Sequence, residues 1–434
     1  MPCRRYIPVR AFCLLVLIIC LGTGWKPDGN RPVPDLSDRI NRFTFDILHQ
    51  HAREEGIPAN AILSPQSIFH GMAMTYVASQ GRTRRELAGA FHFPDSDEQL
   101  MRDLAKLRGR LQRSARGRRV DMEIANAVWV DDTEANFRED YLRKLRDAFA
   151  GAVRRGSFKD GKVAGQVNGW VAKKTRGRIK NIVAPGDFLP AKPGSGDDAP
   201  GLACVNAIYF KSDWASAFTE GETRSHAFHT GPDAAGHAML MHQRSMLKYA
   251  KDEHFQFLEI PYLGEDYCLQ ALLPVEVLPI QELLSQATPD ALSNLSRQAV
   301  RQEVDVLLPT FELRTRVGLK GLLGRLGAES VFDSRRAELG RMIHARPDAD
   351  RVYMGSMCQD AWIRLDEKGT EAAAATTSIS FPLGCSAENI SMPAYFHTDH
   401  PFLFFIVHRP SQSLLFAGWI TDPEQGAGPG TPSP

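Results

Sequence analysis

The stretch from Asp366 to Ser378, Asp-Glu-Lys-Gly-Thr-Glu-Ala-Ala-Ala-Ala-Thr-Thr-Ser, constrains this chain more than any other. Gly369 supplies backbone freedom. Four alanines follow, hydroxyl residues flank them, and no large apolar side chain occurs from Gly369 to Ser378. One reading is an Ala-rich helical turn, although Gly, Thr and Ser weaken a helix there. A surface loop is another, and alanine also ranks low for strands. A third role asks for small residues throughout: a segment that must enter an already packed sheet cannot carry bulk. In a strand, alternate residues face opposite sides. Thr370, Ala372, Ala374 and Thr376 would then face a core, and Glu371, Ala373 and Ala375 the solvent. Ile379, Phe381 and Leu383 come only afterwards, where a loop tip would be offered to a partner.

The remaining 434-residue chain has ordinary globular composition, 43% hydrophobic and 24% charged. Its N-terminus reads as a secretion signal over residues 1–24. Arg4, Arg5 and Arg10 precede the apolar run Ala11 to Leu21, and Gly22-Thr23-Gly24 supplies small residues near a cleavage point. That run is too short to span a membrane. Its removal takes three arginines and no acids, turning the formal charge of +1 into −2. A nearly neutral chain carries no global nucleic-acid signature. Cys204, Cys268, Cys358 and Cys385 remain, too widely spaced for a metal pattern or a small disulfide framework. Cys385, in the expected exposed loop, is a candidate reactive thiol.

Residues 25–37 read as a linker containing Pro32 and Pro34, and Asp38 to Gly56 as a helix striped by Ile40, Phe43, Ile47 and His51. Ser64 reads as a helix N-cap with Pro65 in the first turn. Asn126 to Val130 reads as a short strand, Phe137 to Arg155 as an amphipathic helix, and Pro190 to Gly201 as an inserted loop. Leu202 to Lys211 is a nearly unbroken apolar run, as in a strand buried on both faces. Three segments ending near Pro261, Pro274 and Pro309 read as strands, and Asp399 to Ile406 and Leu414 to Trp419 as two buried ones. The tail, 424–434, is rich in Gly, Pro and Ser and reads as disordered.

Between Gln99 and Arg119, Leu100, Leu104, Leu107 and Leu111 form an apolar helix face, while Arg102, Lys106, Arg110 and Arg113 form a second stripe. The stripe is a solvated basic face or a polyanion site, since clustered cations bind by releasing counterions. No Gly-x-Ser-x-Gly, His-Glu-x-x-His, P-loop or Gly-x-Gly-x-x-Gly motif is present, so the chain reads as a non-enzyme without metal or cofactor.

The stretch Asp366 to Thr376 resembles the reactive-loop hinge of serpins almost residue for residue. Ser64-Pro65-Gln66-Ser67-Ile68, Asn168-Gly169-Trp170-Val171 and Asn206 through Trp214 resemble further segments of that family. The resemblance implies an α+β fold: one serpin-type domain over residues 38–423, with a large mixed central sheet, further sheets, about eight or nine helices and an exposed reactive loop. It implies a hinge at Glu367, Gly369, Thr370, Glu371, Ala372, Ala373, Ala374, Ala375 and Thr376, and a reactive bond at Leu383–Gly384, with Phe381 and Met392 as competing points. It implies shutter and breach positions at Ser64, Ser67, Asn206, Trp214 and Gln359. In the family the Asn bonds a His of the next strand; Gln359 stands there, and Asp360 stands where a Lys follows, so Asn206 and Gln359 are expected to keep the contact. The implied function is a secreted, monomeric suicide-type inhibitor of a serine protease with an apolar primary pocket, chymotrypsin-like or subtilisin-like. Some members bind glycosaminoglycans on the corresponding helix, which makes a sulfated polysaccharide a second partner. The alternative is a non-inhibitory binding or chaperone protein on the same fold. The export site is extracellular, or periplasmic in a bacterium.

Overall fold

The computed structural model describes residues 35–54, 60–115, 120–131, 137–149, 153–158, 161–188, 201–231, 234–344, 352–370 and 392–425. The expected signal peptide and most of the linker and tail lie outside these residues. Helix α1 spans Leu36–Ala52 and so begins inside the expected linker. Asp35 is the reason: its carboxylate accepts from the Asp38 amide at 2.9 Å, satisfying a first-turn N–H that would otherwise lack a partner.

Helix α2 (Pro65–Ala78) is buried at every residue except His70. It is apolar nearly all round, and such a helix belongs inside. Ser64 precedes it without capping it; the hydroxyl donates instead to the Leu415 carbonyl at 2.8 Å. Helices α3 (Gly81–Phe91) and α4 (Asp97–Ala115) follow. The helix expected from Phe137 to Arg155 is shorter, α5 at Glu139–Phe149. Val153–Gly156 is a strand, pairing in parallel with the strand at Val120–Asp131, a tertiary contact that overrides helical periodicity. Helices α6 (Val163–Lys174), α7 (Ile280–Gln286), α8 (Pro289–Gln298) and α9 (Leu319–Arg325) complete the nine α-helices among the described residues.

Two sheets carry the fold. Nine strands form one: β1 (Ala61–Leu63), β5 (Arg224–Gly231), β6 (Ala234–Lys251), β7 (Phe255–Pro261), β8 (Tyr267–Pro274), β9 (Val300–Pro309), β13 (Ala394–His397), β14 (Phe402–His408) and β15 (Ser413–Ile420). The other has six strands in the order β10 (Phe311–Gly318), β11 (Met354–Asp366), β12 (Gly369–Thr370), β4 (Leu202–Asp213), β2 (Val120–Asp131) and β3 (Val153–Gly156). Strand β2 is longer than the expected Asn126–Val130 because it pairs antiparallel with β4 along its length, from Val120–Ser212 to Val130–Leu202.

Strand β4 is buried on both faces, as its apolar run requires. Leu202, Cys204, Ile208 and Phe210 join the main core with α2. Ala203, Val205 and Ala207 join a second cluster with Val163, Val167 and Val171 of α6. Helix α2 passes close under β4 at Gly71, where an added Cβ would lie 2.6 Å from the Cys204 sulfur and 3.1 Å from Asn206 Oδ1. Overpacking a core of this kind costs about 1–3 kcal/mol. Gly71→Ala is expected to lower the thermal unfolding midpoint by several degrees, read by circular dichroism.

Candidate functional site: a slot in the six-stranded sheet

The two central strands, β4 and β11, run parallel and are related differently along their length. From Met354–Leu202 to Ala361–Ile208 they bond directly to one another. At the other end β12 lies between them. Thr370 pairs with Leu365 on one side and Ser212 on the other, and Gly369 with Asp366 and Asp213. The count from Ile208 to Ser212 equals that from Ala361 to Leu365. Admitting a strand therefore requires the neighbours to move apart sideways, with no sliding.

The head of the slot is fixed by many contacts. Gly369 has φ +155°, and a Cβ there would meet the Ser212 carbonyl oxygen at 2.2 Å, so only glycine fits. Thr370 is fully buried, and its hydroxyl shares a hydrogen bond of 2.7 Å with the Tyr262 hydroxyl. Trp214 stacks on Tyr262 at 4.5 Å between centroids. Its indole N–H donates to the Asp366 carbonyl at 2.9 Å, and its amide to the Lys368 carbonyl at 2.8 Å. Glu367 accepts from the Thr223 hydroxyl at 2.5 Å, and Lys368 pairs with Glu220 at 3.0 Å. Trp214, Glu367, Gly369 and Thr370 thus converge, and Tyr262, not among the expected site residues, joins Trp214 to Thr370.

Farther down, the expected contact between Asn206 and Gln359 is replaced. The two residues are register partners, but their side chains do not bond. Gln359 turns to the Ser64 backbone, accepting from its amide and donating to its carbonyl, each at 2.9 Å. The longer Gln side chain offers an acceptor and a donor from one planar amide, which matches a backbone N–H and C=O. Among the described residues Asn206 Nδ2 reaches only the Cys204 sulfur, at 3.6 Å. Asn206 Oδ1 is buried with no hydrogen-bond partner among the described residues, a costly condition. Ser67 donates to Asn126 Oδ1 on β2. Asp360, fully buried, is held by Arg314 through two bonds of 3.0 and 2.7 Å; the carboxylate raises the Arg314 pKa through these bonds.

Glu371 to Thr376, Phe381, Leu383, Gly384 and Cys385 lie outside the described residues. Met392 is exposed just ahead of β13. Arg102, Lys106, Arg110 and Arg113 are all exposed on one side of α4, remote in role from the slot. The described cysteines are poor nucleophiles, since burial pushes Cys204 up to about 12 and Cys358 up to about 11.

The serpin (serine protease inhibitor) family pattern matches residues 38–423. The chain is a member of the serpin family. It is 29% identical over 389 residues to an uncharacterized serpin-like protein of Thermococcus kodakarensis, covering 89% of this chain and 85% of the relative. It is 30% identical over 400 residues to the human leukocyte elastase inhibitor, covering 89% and 99%. Among solved structures, native protease nexin-1 with heparin superposes with a TM-score of 0.73 at 24% identity, covering 88% of this chain and 99% of that one. Members of this serpin family are generally protease inhibitors, and the relatives include inhibitors. Among the described residues no helix is long and apolar enough to cross a membrane.

A second polar cluster ties β13 into its sheet. His397 on β13 and His242 on β6 both bond Asp305 on β9, at 2.9 and 3.3 Å. His242 also bonds Glu222 at 2.8 Å. The Glu222 bond is the main reason the His242 pKa is raised above 6.5, with Asp305 adding to it against desolvation. The sign follows: the stability that His242 contributes is complete below its unfolded pKa of 6.5 and is lost as pH rises through the higher folded value. His242→Gln is expected to lower the thermal midpoint at about pH 5.5 and to have little effect at about pH 8.5. An equal effect at both would contradict the charge-based role.

Proposed function

We propose that this serpin is a secreted suicide-type inhibitor of a serine protease, cleaved at Leu383–Gly384 and completed by insertion of its own loop. The observation that carries this reading is β12: the chain leaving the hinge is already bonded to both walls of a slot whose register continues below it. The protease serine oxygen attacks the Leu383 carbonyl, an ester forms, and the Gly384 amine leaves with a proton. The freed chain then extends β12 downward.

In this reading the register of Gly369 and Thr370 carries on down the slot. Ala372 falls between Phe210 and Ile363, Ala374 between Ile208 and Ala361, and Thr376 between Asn206 and Gln359. Thr370 marks the core-facing side, so these three follow it inward. The Thr376 hydroxyl arrives beside Asn206 Oδ1, the buried acceptor that lacks a donor among the described residues. Ser380 comes level with Leu202, where β4 ends. Leu383 therefore sits just past the foot of the sheet, about 43 Å along the strand from Thr370. New backbone hydrogen bonds, about 0.5–1.5 kcal/mol net each, favour the inserted state. Apolar Leu383 and Phe381 suit a chymotrypsin-like or subtilisin-like primary pocket. The chain itself performs no turnover and uses no cofactor in this scheme.

Ala372→Arg and Ala374→Arg place a cation against Phe210 or Ile208 and are expected to convert inhibitor to substrate. The measurement is a denaturing gel with intact mass after mixing with chymotrypsin. Wild type should give a band at the combined mass and a released peptide starting at Gly384, and the variants only cleavage. Cleavage of wild type without a complex and without a rise in thermal stability would favour the non-inhibitory binding role.

The exposed stripe Arg102, Lys106, Arg110 and Arg113 supports binding of a sulfated polysaccharide. Only Lys106 carries a recorded ion pair, to Asp103 at 3.5 Å among the described residues. Replacing all four by Ser should make elution from immobilised heparin occur at clearly lower salt, because each lost contact shallows the salt dependence by about one unit.

A further inference from the structure

We infer that Tyr209 and Trp362 form a clasp across the slot that sets how fast a strand can enter it. The inference rests on the insertion reading above and adds residues to it. Tyr209 lies on β4 and Trp362 on β11, one residue beyond the last direct backbone pair, Ile208–Ala361. Their rings lie nearly parallel, centroids 6.3 Å apart and planes 10° apart. Both are nearly buried, at 3% and 6% exposure. The stack therefore closes the throat of the slot, between the part that β12 has opened and the part still shut.

Adjacent strands lie about 4.8 Å apart, so two strands flanking a third lie about 9.6 Å apart. A stack of 6.3 Å cannot survive that separation. The residue that the register delivers to this level is Ala373, whose methyl group is small enough to pass between parted rings.

Each ring is held on its own bank. The Trp362 indole N–H donates to Glu312 on β10 at 3.1 Å. Arg178 lies over the Trp362 ring at 5.0 Å, and Arg176 over the Tyr209 ring at 5.9 Å. Arg176 also pairs with Asp121 of β2. Both arginines come from the segment that follows α6, so this covering segment reaches both sides of the throat. Parting β4 from β11 breaks the stack while pulling the two arginine contacts in opposite directions.

The test uses the purified full-length protein and a synthetic peptide of the sequence from Thr370 to Ser380, Thr-Glu-Ala-Ala-Ala-Ala-Thr-Thr-Ser-Ile-Ser. Formation of the peptide complex is timed by native-gel mobility and by the rise in thermal midpoint. Tyr209→Leu and Trp362→Leu, which keep apolar bulk without a stack, should each speed entry about fivefold, the scale of one aromatic pair. The double variant should be no faster than either single one, because both remove the same contact. Trp362→Phe, which keeps a ring, should retain nearly the wild-type rate. Equal rates in wild type and both Leu variants, or effects that multiply in the double variant, overturn the clasp and leave the slot standing. Failure of the peptide to enter any of these proteins overturns the clasp and the insertion reading together.

Discussion

The direct backbone pairing of β4 with β11 is the contact on which the rest of this structure turns. Elsewhere in the sheet, neighbouring strands are joined for good reason. Strand β2 matches β4 along its full length, and β10 matches β11 from Phe311–Leu365 to Gly318–Cys358. The central pair alone bonds directly at one end and stands apart at the other, with Gly369 and Thr370 between. Everything around it either props that opening, through Trp214, Tyr262 and Thr370, or resists its spread, through Gln359, Asp360 and the residues that α6 lays over Ala203, Val205 and Ala207.

Polar groups in the interior show the same division. Gln359 is fully satisfied by the Ser64 backbone and binds β11 to the start of α2. Asp360 is satisfied by Arg314 on its other neighbour. Both contacts belong to one side of the slot and survive if β11 and β10 move as a unit with the Ser64 turn. The Asn206 side chain, on the opposite side, makes no hydrogen bond to β11 among the described residues. The central strands are thus joined by backbone and apolar contact at this level, with no side-chain hydrogen bond to break between Asn206 and Gln359. A group left without a partner inside a protein raises the energy of that state, and here the oxygen, unpartnered among the described residues, faces Gly71.

Much of this was legible in the chain. The buried β4 strand was plain from its unbroken apolar run, and the start of α2 from Pro65 in its first turn. The start of the slot was marked by Gly369 and Thr370, which open a stretch without apolar bulk as far as Ser378. Capping was harder: Asp35 moved the start of α1, and Ser64, an ordinary cap by residue type, gave its hydroxyl to β15. Strand β3 was hidden by a periodicity that also suits a helix, and β2 ran beyond its apolar centre because β4 supplied a partner. The Asn206–Gln359 contact failed for a reason of reach. A Gln amide matches a backbone N–H and C=O, and Ser64 offers that pair closer at hand. Tyr209 and Trp362 were invisible because their relation crosses 153 positions and depends on two strands keeping register without touching.

The half-open slot separates two events in space. The levels of Phe210 with Ile363 and of Lys211 with Arg364 lie above the stacked rings and already stand clear of direct strand pairing. Under the insertion reading proposed above, an incoming chain would pass these steps before meeting resistance at the throat. Capture and commitment would then fall to different side chains: Trp214 and Tyr262 would set how firmly Gly369 and Thr370 are seated, and the stacked rings the waiting time before entry. A protein built this way would be retuned from fast trap to slow one at the throat alone.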